Sequence, residues 1–322
     1  MPNKDIDVLE SILRRQGDLL DILLIDRTKS KPSRRVNIIW ATDSYVKYGK
    51  DFAPKKQILP ELVTGRYNKL IQPRAIKSKE EQKQRTRDKA EVFTPLKIVD
   101  EMNSAIDRAG GENLPGGHTW QDYIRELKLE ITCGEAPFIV SRYNPTSATG
   151  KLIKLENRVG FLDRKLQVIS RMCDTSKEWL TWARIAYQSS YGYEWQGDNL
   201  LIARENLLYT LKDYYFAKFG KQPDHKTLIE FAEIISWNIF QMDGIKFVVP
   251  MSCRHETIIE EAPPALKIIG EAEDVVHKFE CRGCKLGDPF VHNSSYYART
   301  MDWGKNKPVK FIDLLDEGEK SG

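Results

Sequence analysis

Leu129-Glu130-Ile131-Thr132-Cys133-Gly134-Glu135-Ala136-Pro137-Phe138 is the stretch whose reading decides the fold. It begins as an apolar strand, turns at Gly134, and runs into Phe138, Ile139 and Val140, which read as the start of a helix. A strand, a tight glycine turn and a helix make the unit from which cofactor loops are built. Gly134 lets the backbone approach a ligand without a Cβ clash, and the amides opening the next helix can hydrogen-bond a carboxylate. A plain strand-turn-helix connection has the same pattern, so the neighbouring sequence has to decide between them.

On the N-terminal side, Trp120 to Glu126 reads as a short helix feeding a strand, Leu127 to Ile131. Gly110 to Gly117 is a break. Lys77 to Lys89 holds six basic residues and three acids among polar neighbours and reads as a solvated helix or arm. Ile6 to Ile25 has apolar residues at helical spacing, predicting an amphipathic helix that stops at Asp26. Arg27 to Arg35, with five basic side chains, no acid and one Pro, reads as an exposed loop, and Val36 to Ala41 as a buried strand.

On the C-terminal side, Asn144 to Lys151 is a turn or hairpin tip, and Val159 to Asp163 reads as a short strand ending in an acid. Lys177 to Tyr187, Leu200 to Phe219 and Lys226 to Trp237 carry helical periodicity. This alternation predicts an α/β fold, a sheet with helices on both faces. From Glu256 to Gly322 the sequence changes to short β-like pieces, Val275 to Glu280 and Val309 to Ile312, separated by turns. The expected organisation is a helical, basic N-terminal segment (1–84), a core (85–250) and a small C-terminal subdomain (251–322). No internal repeat is visible.

With 322 residues, 41% of them hydrophobic, the chain can bury a substantial core. No apolar run reaches the roughly 20 residues needed to cross a bilayer, and the charged start, Met1 to Arg15, has no signal-peptide core, so a cytoplasmic protein without a membrane partner is expected. Five cysteines, unevenly placed, do not make a disulfide framework. The 50 Lys and Arg nearly balance the 46 Asp and Glu, so any nucleic-acid interface must come from local clusters.

Phe93-Thr94-Pro95 stands directly before the apolar positions Leu96, Ile98, Val99 and Met102. Thr94 is placed to cap a helix and Pro95 to occupy its first position. A Phe-Thr-Pro helix start followed by a glycine-bearing loop resembles the adenine-specific DNA methyltransferases of restriction-modification systems, in particular their M subunits. The resemblance implies a Rossmann-like methyltransferase core that binds S-adenosylmethionine and methylates adenine N6 in double-stranded DNA, beside a restriction or specificity subunit. It places Phe93, Thr94 and Pro95 near the methionine end of the cofactor, Thr132, Cys133, Gly134 and Glu135 along it, and Phe138 beneath it. Glu135-Ala136 stands where a second glycine is common in that family. Cys133 belongs to this loop and is not expected to act as a nucleophile.

Ribose hydroxyls call for a carboxylate at the end of the second strand. Asp163 and Asp243 compete; Asp163 is preferred because Asp243 leaves little chain for further strands. Gly197-Asp198-Asn199, before the Leu200 helix, is either an adenine-edge contact or an ordinary helix cap.

Methyl transfer to an exocyclic amine needs an amide or carboxylate acceptor and an aromatic ring to hold the flipped base. The family supplies them as Asn/Asp-Pro-Pro-Tyr/Phe, a tetrapeptide absent here. Asp288-Pro289-Phe290 and Asn238-Ile239-Phe240 come nearest. Cys281-Arg282-Gly283-Cys284, with His292 after it and Cys253 and His255 before it, offers donors for a structural zinc site, against a reading as free thiols. For DNA, the Arg27 to Arg35 loop and the Lys77 to Lys89 arm could neutralise phosphates, and Tyr45, Tyr48, Tyr191, Tyr193 and Trp195 could stack on bases.

Overall fold

A computed structural model describes residues 14–89, 94–107, 119–147, 150–254, 256–261, 263, 275–292 and 296–315. In chain order its main elements are α1 (Gly17–Leu23), α2 (Lys79–Lys89), α3 (Leu96–Ile106), α4 (Trp120–Arg125), β1 (Lys128–Glu130), α5 (Phe161–Met172), α6 (Ser176–Gln188), β2 (Ser190–Glu194), α7 (Gly197–Phe219), α8 (His225–Asn238) and β3 (Ile239–Gln241). The last part holds β4 (Glu256–Glu260), β5 (Val275–Phe279), α9 (Arg282–Leu286), β6 (Arg299–Asp302) and β7 (Lys307–Lys310).

The protein is a mixed α/β structure around a small parallel sheet ordered β1-β2-β3. Glu130 pairs with Gly192 and Glu194 with Gln241, so the C-terminal ends of the strands open toward one edge. Parallel neighbours require long crossovers; α5 and α6 return the chain from β1 to β2, and α7 and α8 from β2 to β3. Polar caps define several helix starts. Thr119 and Asp122 form a reciprocal capping box on α4, Thr175 accepts from Glu178 N on α6, and Asp224 accepts from Thr227 N on α8. α7 is buried on all sides over most of its length, as a central core helix must be.

Trp179, Phe231 and Leu208 belong to the main core cluster, where each fully buried large apolar side chain contributes roughly 1.5–3 kcal/mol. The start of the described chain is tied into this core through two successive α7 residues. Glu205 receives Arg14 Nε at 2.7 Å and Nη2 at 2.9 Å. Arg204, fully buried, donates to the carbonyls of Ile239, Ile25, Leu23 and Ser236. Those four carbonyls have no water to turn to, so replacing Arg204 with an apolar residue would leave them unsatisfied.

Several expectations change. Within the described residues the Ile6 to Ile25 helix is broken at Arg15-Gln16 and resumes at Gly17, a poor helix former. Val36 to Ala41 is buried but joins no sheet; Asn37 and Ile39 make single bridges to Ile25 and Gln57. Val159 to Asp163 is not a strand: Gly160 caps α5, and Asp163 lies in that helix's first turn. Helices do not cover both faces throughout. Tyr193 and Phe240 pack against Ala298, Phe247 and Phe311, so their cover comes from the C-terminal segment. The arm at Lys77 to Lys89, the α4-β1 unit and the three long helices form close to where the sequence places them. The Gly110 to Gly117 break lies outside the described residues.

Candidate functional site

The chain leaves β1 through backbone that alternates into the left-handed region, at Thr132 (φ 45°), Gly134 (φ 55°) and Ala136 (φ 63°). Only Gly134 adopts this without steric cost; the other two are held by their surroundings. Cys133 N donates to Tyr193 O at 2.8 Å, which presses the loop against the end of β2. Gly134 N donates to Glu194 Oε2 at 2.8 Å, and Gln196 N donates to Glu194 Oε1 at 2.9 Å. The Glu194 carboxylate is thus held between one amide of the loop and one from the start of the segment after its own strand.

The helix expected to follow the loop does not form. Pro137 to Ile139 is a succession of turns, and the amides of Phe138 and Ile139 fold back onto Glu130 at 3.3 and 3.1 Å. The carboxylate acceptor for those amides is therefore the chain's own. Burial, and then the charge of Glu194, hold the Glu130 carboxyl well above the usual range. Burial also pushes the Cys133 thiol up, the opposite of what a nucleophile needs.

Of the other residues singled out, Phe93 lies outside the described residues. Thr94 does not cap the helix: α3 starts at Leu96, Pro95 occupies the capping position, and no side chain caps it. α3 is nonetheless fixed to the loop, because Asn103 Nδ2 donates to Phe138 O and Val159 O, each at 3.0 Å. Glu135 turns into the interior, accepting from Arg74 N at 2.6 Å and Tyr143 Oη at 2.8 Å. Asp163 is fully buried and accepts from Ser141 N at 2.7 Å; burial raises its pKa to about 6. Asp198, at the start of α7, is fully buried against Arg85 (2.9 Å) and Tyr45 Oη (2.7 Å). Asp243 follows β3 and accepts from Ile245 N and Lys246 N at 3.0 and 3.1 Å.

The residue that sequence reasoning missed is Glu194. It ends the second strand, touches the β1 loop, and is followed by a cavity of about 240 Å³ bordered by Trp195, Gln196, Asp43 and Met251. Its signal was present: an acid closing the short aromatic strand Tyr191-Gly192-Tyr193 directly before a helix start. A larger cavity, about 640 Å³, lies between the Asp43 to Tyr48 turn and α2, with Tyr45, Tyr48, Lys77 and Arg85 among its walls.

In the last part of the chain, Cys253, Cys281, Cys284 and His292 bring their donor atoms within 4.8 Å of one another, a Cys3His cluster that could hold a metal ion such as zinc. His255 lies outside the described residues. Asp288-Pro289-Phe290 belongs to the turn that delivers His292: Asp288 accepts from Phe290 N, and Tyr297 Oη donates to Pro289 O while accepting from His292 N. Asn238 Nδ2 is spent on the carbonyls of Tyr187, Gln188 and Ser190. Neither fragment presents an amide or acid at the mouth of the sheet.

Basic and aromatic side chains named for DNA are partly engaged within the fold. Arg27 pairs with Glu233 and lies over Trp237, and Arg85 holds Asp198. Tyr191 Oη donates to Met301 O, and Trp195 Nε1 donates to Ala41 O at 2.8 Å. No helix among the described residues is long and apolar enough to cross a membrane. No protein-family model, curated protein or solved structure matches the chain.

Proposed function

We propose that this chain is the S-adenosylmethionine-binding component of an amino-group DNA methyltransferase, acting on adenine N6 in a restriction-modification system. The observation that carries the reading is the meeting of Glu194 with Gly134 across the ends of two adjacent parallel strands. In parallel α/β sheets ligands bind outside the carboxyl ends of the strands, where a glycine turn and an acid can share one nucleoside. Glu194 is the acceptor for the ribose hydroxyls, held in orientation beforehand by two backbone amides. The space beside Trp195 and Gln196 receives the adenine end; at about 240 Å³ it is smaller than the roughly 300–1,000 Å³ of a whole ligand pocket. Thr94 and Pro95 are assigned to the methionine end by the family resemblance. The cofactor supplies an activated methyl group. What this chain does is bind and orient it, and its buried Cys133 thiol takes no covalent part.

A second reading is favoured by one further observation. β1 is an edge strand of the sheet among the described residues, and Leu129 in it and Leu127 and Ile131 beside it are exposed. Together with the missing Asn/Asp-Pro-Pro-Tyr/Phe tetrapeptide, this supports a cofactor- or DNA-binding subunit whose transfer site comes from a partner chain. Calorimetric titration with S-adenosylmethionine tests the cofactor crevice, and no binding at millimolar cofactor sinks the first reading. Radiolabelled methyl transfer to unmodified DNA then separates the two readings: transfer by the chain alone supports the enzyme, and transfer only with a co-expressed partner supports the subunit.

A further inference from the structure

The four donors Cys253, Cys281, Cys284 and His292 come from three separated stretches of chain. Cys253 follows the Val248 to Met251 segment, Cys281 and Cys284 flank the first turn of α9, and His292 ends the turn after it. His292 Nδ1 lies 3.3 Å from Cys281 Sγ, 3.6 Å from Cys253 Sγ and 3.9 Å from Cys284 Sγ. Hydrogen bonding does not account for that convergence. A single ring nitrogen makes one directed hydrogen bond and does not gather three sulfurs about itself. A cation does draw four such donor atoms to one point, and these four all lie within 4.8 Å of one another. With Zn–S of about 2.3 Å and Zn–N of about 2.0–2.1 Å, tetrahedral angles put sulfur and nitrogen about 3.5–3.6 Å apart, the middle of the observed range.

The local sequence is built for this approach. A Cβ on Gly283 would stand 2.6 Å from His292 Nδ1 and 2.7 Å from Asp288 O, so only glycine lets α9 and the histidine turn close. The His292 backbone is pinned through its amide to Tyr297 Oη. Lys246, beside Cys284 and Cys253 and 3.9 Å from Asp243, supplies positive charge next to the sulfurs. Among the described side chains of β4 and β5, Glu260, Val275 and Val276 are exposed.

We propose that this protein holds one structural zinc ion through the thiolates of Cys253, Cys281 and Cys284 and through Nδ1 of His292. The four protein ligands close the coordination shell, leaving no position for water or substrate, so the ion staples the chain after β3 to the α9 turn and does no chemistry. Binding displaces three thiol protons to solvent and leaves the imidazole neutral, with its proton on Nε2. Three thiolates and a divalent ion carry a net single negative charge, which the Lys246 ammonium offsets. The proposal is independent of the cofactor reading and assigns Asp288-Pro289-Phe290 to the architecture of the metal turn.

The test uses the full chain purified without chelator or affinity metal. Elemental analysis should give about one zinc per chain. Cobalt replacement should give strong visible bands of tetrahedral cobalt and thiolate charge transfer in the near ultraviolet. Cys281→Ser should lose the metal. Should that variant fail to fold, His292→Cys keeps four donors and is expected to retain zinc while strengthening the cobalt charge transfer. Cys173→Ser, which alters a buried cysteine away from the cluster, should leave zinc content unchanged. Substoichiometric zinc in protein refolded with excess metal, a weak octahedral cobalt spectrum, or charge transfer unchanged in His292→Cys would each overturn the assignment.

Discussion

In Glu194→Gln the side chain keeps its length and one carbonyl oxygen but loses its charge and its second acceptor. The native carboxylate accepts from Gly134 N at 2.8 Å and Gln196 N at 2.9 Å, one on each oxygen. The variant must leave one of these amides facing an NH2 donor, at a cost of about 1–3 kcal/mol for an unsatisfied buried group. Each kcal/mol lowers the melting temperature of a domain of 150–250 residues by about 2–4 °C, so circular dichroism should record a drop of several degrees with folding intact. The cofactor effect is separate. A hydrogen bond from a ribose hydroxyl to a charged acceptor is worth about 1.5–3 kcal/mol, and each 1.4 kcal/mol is tenfold in Kd, so affinity should fall roughly 10- to 150-fold in calorimetric titration. Asp163→Asn is the matched control. Its carboxylate, in α5's first turn, accepts from Ser141 N, so the variant should melt earlier while cofactor affinity stays within about twofold, too little to register as a hydrogen bond. A folded Glu194→Gln that binds cofactor like the native chain, or an Asp163→Asn that alone loses binding, would refute the placement of the crevice.

Three further outcomes follow from the same geometry. Burial and the charge of Glu194 raise the Glu130 pKa, so the stability linked to its proton is fully present below the unfolded value of about 4.3 and is lost as pH rises through the folded one. Glu130→Gln should therefore flatten the fall in melting temperature with rising pH; parallel profiles for the two proteins would contradict this. Burial works against the Asp198 charge, but Arg85 and Lys77 outweigh it and hold the carboxyl below its usual range, giving stability that is present above about pH 3.9 and lost as pH falls through the folded pKa. Removing one partner in Arg85→Met should cost about 3–5 kcal/mol in urea unfolding at neutral pH, and a loss near zero would show that the pair is not a buried one in solution. Gly134→Ala forces a side chain into φ 55°, costing about 1–2 kcal/mol, and should weaken cofactor binding while leaving zinc content unchanged.

How far the sequence could be read depends on whether a feature was written in local spacing or in distances across the fold. α6, α7 and α8 are legible because their apolar positions recur at helical spacing over many residues, whereas β1 is legible only from the alternating Leu127, Leu129 and Ile131, and it buries Lys128 and Glu130 in place of those apolar side chains. The loop after β1 is a glycine turn in the sequence and in the structure. Its sequence also predicts the opening of a helix, which Pro137 and the return of two amides to Glu130 prevent. Val159 to Asp163 misleads because a short, largely apolar run ending in an acid fits a strand or a helix start equally well, and only the packing of Gly160 and Asp163 against the Ile139 to Ser141 segment decides between them. Glu194 was hidden for the opposite reason. Its strand is plain in sequence, but Tyr191 and Tyr193 drew the reading toward base stacking, and nothing local says that the acid between Tyr193 and Trp195 reaches Gly134, sixty residues earlier. The cysteine cluster stands between these cases. A C-x-x-C pair with a histidine after it is visible in the sequence, yet Cys253 becomes a fourth donor only because the chain after β3 returns to the α9 turn. That return also resolves Asp288-Pro289-Phe290. An acid, a proline and an aromatic in the order of a transfer site can equally make a tight turn, and here the turn ends on a histidine whose ring nitrogen faces three sulfurs.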